Sequence, residues 1–277
     1  MTGKCILITG CSSGIGQDAA LTLHMRGWRV LATCRQAEDC SWLRERGLES
    51  LPLDLASEAS IAGAVREALD LTRGGIDAVF NNGAFACPGA VEDLPRAALR
   101  EIFETNLFGQ IDLTNRLIPA MRARGTGRIV MNSSVLGFVA ARWRGAYVAS
   151  KFALEGITDT LRLELAGTGI QVSLIEPGPI RTNFRRNAIP HFERHIDRDG
   201  SVHRDFYAGA MHRRLYAPDK ARDRFELPPS AVTDRLIHAL EARNPRPRYR
   251  VTLPARIAGG LRRGLPTRLL DAVLRRW

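Results

Sequence analysis

The 277-residue sequence predicts an α/β fold built on parallel strands, and three features carry that expectation. A short apolar run, Cys5-Ile6-Leu7-Ile8, feeds a glycine-rich turn and then a helical pattern. Further short apolar runs alternate with helical periods towards the C-terminus. No internal repeat or linker-like segment interrupts the alternation, so one domain, 1–277, accounts for the chain.

The turn after the first strand reads Thr9-Gly10-Cys11-Ser12-Ser13-Gly14-Ile15-Gly16. Its glycines allow a tight turn and close approach of backbone to a ligand. The helix that follows, with Ala19, Ala20 and Leu23 on one face, ends near Gly27. Its N-terminus offers free N–H groups and a positive dipole end to a pyrophosphate. Residues 29–33 form the second strand, with Arg35 just past its end. A helix near 39–46 leads to a third strand at 51–53 and then Asp54-Leu55. Asp54 suits either an adenine amino group or a helix N-cap. The fourth strand, 76–80, ends in Asn81-Asn82-Gly83-Ala84, a corner that admits a ribose or is a plain turn.

Residues 95–124 read as a long helix, bent at Gly109, with polar Asn106 among Phe103, Leu107 and Phe108. A buried amide there needs a partner: a water near Lys151, or the backbone of a kink. The fifth strand, 128–131, leads to Ser134, and a helix from about Tyr147 to Ala166 precedes a sixth strand at 170–175. Glu176-Pro177-Gly178-Pro179-Ile180-Arg181-Thr182 makes a rigid corner at the ligand edge. Residues 183–229 lack clear strands and read as a substrate-binding lid rich in aromatics and arginine. A helix at 231–242 and a last strand at 248–252 precede a basic amphipathic tail, 254–277.

The chemistry concentrates between Asn132 and Lys151. Tyr147 and Lys151 are four apart and leave the same helix face. An ammonium beside a phenol favours the phenolate, so the expectation is a lowered Tyr147 pKa and a proton donor to a carbonyl. Ser134, at a strand end, is placed to bond the same substrate oxygen. Only three lysines, Lys4, Lys151 and Lys220, stand among forty basic residues, which makes a lysine at 151 pointed.

Composition bounds the rest. The balance of 45% hydrophobic and 25% charged residues is globular. No run approaches a bilayer span, and strand-like sequence begins too early for a signal peptide. Five cysteines without a CxxC pair read as reduced thiols in a cytoplasmic protein. The net charge of +11 fits an arginine-biased surface, attraction to an anionic cofactor or membrane, or nucleic-acid binding. The chain shows no zinc-finger spacing, RNP motif or basic stripe interleaved with aromatics in its first half, which argues against nucleic acid. His191 and His195 flank Glu193, but the pattern is not HExxH and lacks a third ligand, which argues against a metal.

In order, TGCSSGIG, Asp54-Leu55, NNGA, Asn106, Ser134, Tyr147, Lys151 and PGPIRT resemble the motifs of the short-chain dehydrogenase/reductase family over about the first two thirds of the chain. Gly83-Ala84 departs by swapping the usual alanine and glycine. A closer resemblance, carried by GRIVMNSSVLG, SLIEPGPIRT and RYRVTLPA, is to bacterial NADP-dependent aldehyde reductases, similar to retinol and 17β-hydroxysteroid dehydrogenases.

The resemblance implies a Rossmann-type, doubly wound parallel sheet of about seven strands with helices on both faces, in a homodimer or homotetramer. It implies catalytic roles for Asn106, Ser134, Tyr147 and Lys151. It implies a cofactor site of Gly10, Ser12, Ser13, Gly14, Ile15, Gly16, Arg35, Asp54, Leu55, Asn82, Gly83, Tyr147, Lys151, Pro177, Gly178, Ile180 and Thr182. NADP(H) is the expected cofactor. The position that would bear an acid against a 2′-phosphate falls near Thr33-Cys34, and Arg35 follows. Thr33 is expected to add a hydroxyl. Ser13, where many NADP enzymes carry a basic residue, and nearby Glu38 weigh the other way.

The expected activity is hydride transfer to or from a small-molecule carbonyl or alcohol. The aromatics of 183–229, with Phe138, Val139 and Trp143, suggest an apolar substrate, or else they are core. The alternative from another class is a non-catalytic NADP-binding regulator or scaffold, which would keep the glycine loop while losing proton-transfer residues. In the tail, Ile257, Leu261 and Leu265, then Leu269, Leu270, Val273, Leu274 and Trp277, form an expected apolar side. It suits a subunit, a weak membrane contact or the chain's own body.

Overall fold

Strands alternate their side chains between two faces, and the first strand shows what this sheet does with both. In β1 (Cys5–Thr9), Cys5 and Leu7 join one apolar cluster while Ile6 and Ile8 join another. The structure is a computed structural model that describes residues 3–216 and 225–275. Among these, β1, β2 (Arg29–Cys34), β3 (Glu49–Pro52), β4 (Ala78–Asn81), β5 (Gly127–Asn132), β6 (Ile170–Glu176) and β7 (Arg248–Arg250) form one parallel sheet. The order is β3-β2-β1-β4-β5-β6-β7. The order reverses between β1 and β4, the crevice where doubly wound sheets hold ligands beyond their strand ends.

Helices cover both faces. α1 (Gly14–Met25), α2 (Ala37–Arg44) and α11 (Ser230–Glu241) pack Leu23, Leu43 and Leu236 against one face. α3 (Glu58–Thr72), α5 (Gly109–Ala123) and α6 (Gly145–Glu164) pack Ile61, Leu117 and Leu154 against the other. Each such fully buried leucine or isoleucine stabilises the fold by about 1.5–3 kcal/mol relative to exposure.

The long helix expected over 95–124 is α4 (Arg96–Phe103) and α5 joined by a π-helical turn, Glu104–Phe108. The irregularity therefore falls in the turn before Gly109, not at the glycine. Gly109 serves close packing instead: a Cβ there would lie 1.8 Å from the Leu55 carbonyl oxygen. Among the described residues, the segment at 183–229 forms no strand but is not irregular. It folds as α7 (Phe184–Asn187), α8 (Ile189–His195), α9 (Arg204–Phe206), a second π turn (Tyr207–Met211) and α10 (His212–Tyr216); residues 217–224 lie outside the described residues.

The tail forms α12 (Leu253–Gly264) and α13 (Thr267–Leu274), separated at Leu265-Pro266, where proline ends a helix. Its buried face differs from the expected stripe. Ala255, Ala258, Gly259 and Leu270 are buried, whereas Ile257 and Leu269 are exposed. At Gly259 the Arg250 guanidinium packs against the helix, its Cζ 2.2 Å from where a Cβ would stand. Trp277, expected on the apolar side, lies outside the described residues.

Candidate active site

The glycine loop closes tightly on the end of β4. Gly10 has φ +71°, and a Cβ there would lie 2.8 Å from the Gly83 Cα, so only glycine fits without strain. Ser13 precedes α1 in extended conformation without a side-chain cap, which leaves the first-turn N–H groups of α1 for an anion. Ser12, Ser13, Gly14, Ile15 and Gly16 line this turn and helix start. From above, the Thr182 methyl packs on Gly14. The 177–182 corner is tied down: the Pro177 carbonyl accepts from Val135 N at 2.7 Å, Gly178 lies against the Thr252 hydroxyl, and Ile180 bridges to Leu227.

Arg35 lies one residue past β2 and is exposed. Thr33 does not join it as a donor to a ligand. It is buried, and its hydroxyl is committed to the Ile8 carbonyl at 3.1 Å. Asp54 lies past β3 with Leu55 buried behind it. The helix-cap reading of Asp54 fails, because the N-cap of α3 is Ser57, whose Oγ accepts from Ser60 N at 3.2 Å. Asp54 instead accepts from Ala56 N at 3.0 Å through Oδ1.

Asn82 is spent on the framework rather than turned to a ribose. Its backbone N–H and that of Gly83 both donate to Thr9 Oγ1 at 2.9 Å. Its Nδ2 donates to the Thr9 carbonyl at 3.0 Å, and its Oδ1 accepts from Asn132 Nδ2 at 2.8 Å. The Asn132 carbonyl in turn accepts from Lys151 Nζ at 2.8 Å. One relay, Thr9–Asn82–Asn132–Lys151, thus ties the glycine loop to the helix that carries Tyr147. The swapped Gly83 has its carbonyl held by Gln110 Nε2 at 2.8 Å.

Tyr147 and Lys151 share the buried face of α6, with Nζ 5.7 Å from the phenol ring centroid. Ser134 is buried just past the end of β5, near enough to the Tyr147 hydroxyl to favour its phenolate. Its Oγ also accepts from Leu136 N at 3.1 Å, which fixes the serine in place. The expected lowering of the Tyr147 pKa is reversed. Burial pushes it up to about 12, against the opposing influence of the Ser134 hydroxyl and the charge of Arg144. Burial also pushes Lys151 down to about 7, opposed by Glu155. Desolvation of both groups therefore outweighs the ammonium's help to the phenolate.

Asn106 sits in the first π turn, fully buried. Its amide pairs with both backbone groups of Phe85, accepting from N at 3.0 Å and donating to O at 2.9 Å, and donates to Ser150 Oγ at 3.2 Å. The side chain thereby fixes the Phe85 loop against the start of α6.

The surroundings of Tyr147 are apolar: Ala86, Ile102, Ala146 and Ala188 are buried with it, and Phe85, Leu136 and Phe184 pack against them. Phe184 meets the Tyr147 ring edge-on at 5.3 Å. The other aromatics do not reach the site. Phe192 and Tyr207 are the core of the 183–216 region, Trp143 stacks on Phe206 at 4.1 Å, and Phe138 lies 5.3 Å from the Arg250 guanidinium. Tyr216 bonds Glu193. His191 and His195 grip Glu101 of α4 together with Arg194. His195 Nε2 lies at 2.5 Å and Arg194 Nη1 at 3.1 Å, with His191 Nδ1 3.0 Å away but off the line of a hydrogen bond. His191 also stacks on Phe85 at 3.8 Å.

Sequence reasoning missed a cluster behind Lys151. Arg248 of β7 reaches Glu155 of α6, Glu176 of β6 at 2.5 Å and Asp159 at 2.5 Å, and Arg250 meets Glu176 at 3.1 Å. Burial, with the neighbouring Glu176 charge, pushes the Glu155 carboxyl up despite Arg248. The available signal was Glu155, one turn beyond Lys151 on the same face.

A family model described as short chain dehydrogenase matches residues 4–191. The "Uncharacterized oxidoreductase YbbO" of Escherichia coli (strain K12) is 42% identical over 271 residues, covering 98% of this chain and 94% of that protein. Human "17-beta-hydroxysteroid dehydrogenase type 1" is 32% identical over 266 residues, covering 91% and 78%. The crystal structure of a short-chain dehydrogenase from Streptomyces avermitilis superposes with a TM-score of 0.78 at 28% identity, covering 100% of this chain and 96% of that one. With the glycine turn at the sheet's switch point and Ser134, Tyr147 and Lys151 gathered at its edge, the chain belongs to the short-chain dehydrogenase family of oxidoreductases.

Proposed function

We propose that this oxidoreductase is an NADP(H)-dependent carbonyl reductase or alcohol dehydrogenase acting on an apolar aldehyde or ketone. The observation that carries the reading is the gathering of Ser134, buried at the end of β5, with Tyr147 and Lys151, buried together on one face of α6. The groove fits a dinucleotide. Gly10 lets the loop close against Gly83 at the end of β4, and the uncapped start of α1 suits a pyrophosphate. Arg35, Asp54 and the 177–182 corner complete the proposed site; exposed Arg35, one residue past β2, is the proposed partner of a 2′-phosphate. When bound, the nicotinamide exchanges a hydride with the carbonyl carbon.

In this reading Tyr147 donates its hydroxyl proton to the nascent alkoxide and takes it back in oxidation. Ser134 orients the oxygen. Lys151 holds the nicotinamide ribose and helps return the proton, and Asn106 supports the turn through which a water connects Lys151 to solvent. The apolar wall of Phe85, Leu136 and Phe184 favours an apolar substrate, and the steroid dehydrogenase relative is consistent with that class.

The protein is proposed to assemble as a homodimer or homotetramer. Phe152, Ile157 and Leu163 on α6 are exposed apolar candidates for a subunit contact. Among the described residues, no helix is long and apolar enough to cross a membrane. All five cysteines are free and buried, which fits the proposed cytoplasmic setting.

A panel of carbonyls assayed with NADPH and NADH tests the proposal. It predicts faster NADPH oxidation with apolar aldehydes or ketones than with short polar ones. Tight NADPH binding without turnover of any carbonyl would favour a non-catalytic regulator, and a preference for NADH would overturn the cofactor assignment.

A further inference from the structure

The two C-terminal helices present a face that the described chain leaves uncovered. α12 seats on the body through Ala255, Ala258 and Gly259, which turns Leu253 and Ile257 outward, 54% and 47% exposed. Leu269 of α13 is 57% exposed. The same two helices and the turn that ends them carry Arg256, Arg262, Arg263, Arg268 and Arg275, all exposed and without an ion pair among the described residues. Asp271 is the only acid in the two helices. Apolar side chains and unpaired arginines on helices lying along a surface are the chemistry of an interfacial contact.

We propose that α12 and α13 dock this protein on an anionic lipid bilayer. Leu253, Ile257 and Leu269 enter the boundary between headgroups and acyl chains, while the arginines take lipid phosphates. Charge decides between lipid and a second copy of the chain. A two-fold contact places the same patch on both sides, so five arginines would face five arginines with one aspartate each to offset them. A bilayer rich in acidic headgroups supplies the missing negative charge. This inference does not depend on the identity of the substrate or on turnover.

The test is flotation of the full chain with phosphatidylcholine vesicles and with vesicles that also contain phosphatidylglycerol. Alongside run a charge-reversed triple variant (Arg256→Glu, Arg262→Glu, Arg263→Glu) and a double variant (Leu253→Asp, Ile257→Asp). Circular dichroism and thermal unfolding confirm that each variant is folded. The expected result is binding to the phosphatidylglycerol vesicles alone, weakened by salt. It should fall about a hundredfold or more in the triple variant, as removal of three surface cations implies, and also fall in the double variant. Sedimentation velocity should show an unchanged assembly state in both. No binding at low salt, equal binding to pure phosphatidylcholine, or binding indifferent to either variant overturns the proposal. So does a change in assembly state, which assigns the face to a second copy of the chain.

Discussion

Lys151 Nζ donates to the backbone carbonyl of Asn132 across 2.8 Å, and the Asn132 side chain donates to Asn82 across another 2.8 Å. The end of β5 is therefore the joint between the glycine loop and the helix carrying Tyr147. The joint explains how strand pairing sets catalytic geometry. Asn81 pairs with Met131, which brings Asn82 and Asn132 side by side just beyond the β4–β5 ladder.

Asn132→Ala should cut this joint. It leaves Asn82 Oδ1 without its donor in a largely buried site, at a cost of about 1–3 kcal/mol. Denaturant unfolding should show a loss in that range, and NADPH affinity should fall about tenfold, ~1.4 kcal/mol, as the loop loosens. Unchanged stability and affinity would remove Asn132 from the framework.

Lys151 gives stability a pH dependence of defined sign. Burial holds its folded pKa down to about 7, while an unfolded lysine titrates near ~10.4. Below about pH 7 both states carry the proton, and the folded chain bears the full cost of a buried ammonium. Between about 7 and 10 the unfolded chain binds more protons, so this group makes stability rise with pH. Urea unfolding of the wild type and Lys151→Met checks it. The wild type should gain about 2 kcal/mol on the variant between about pH 6.5 and 8.5. A gap independent of pH contradicts the burial argument.

Arg248 is the cation that Glu155 and Glu176 share, with Glu176 fully buried. Arg248→Met should destabilise the chain by about 3–5 kcal/mol, because it leaves buried Glu155 without its counter-charge and fully buried Glu176 with Arg250 alone. Glu155→Gln should cost far less, since burial already favours the neutral carboxyl there. Thermal or denaturant unfolding of the two variants gives the comparison, and equal losses would contradict it.

Arg35 is the proposed reader of the 2′-phosphate. Arg35→Ala should shrink the NADPH over NADH preference by about tenfold or more, ~1.4 kcal/mol, within the range for a charge-assisted hydrogen bond. The measurement is KM for both cofactors in wild type and variant. An unchanged ratio assigns the discrimination elsewhere.

What was legible in the sequence was local. The glycine turn, the Tyr147–Lys151 spacing and the strand-end Ser134 are set by neighbours within a few residues, and the alternation of apolar runs with helical periods marks the strands but not their order in the sheet. Asn132 and Glu155 were not singled out, because their partners Asn82 and Arg248 arrive through strand pairing far along the chain. The aromatics were misassigned for a related reason. An apolar ring is equally at home in a core or a pocket, and only packing shows that Phe184 meets Tyr147 while Phe192 and Tyr207 are buried apart from it. The direction of the Tyr147 shift was wrong because spacing gives proximity to Lys151 but not depth of burial.

The central claim is that Tyr147 moves the proton in an NADP(H)-dependent reaction, and Tyr147→Phe tests it most directly. The variant keeps the ring against Phe184 and removes only the hydroxyl, which lies near Ser134. Steady-state turnover of an apolar aldehyde, with NADPH affinity measured on the same sample, should show kcat lower by about 10²–10⁴ and an NADPH Kd within about twofold of wild type. A variant that turns over near the wild-type rate would contradict the account.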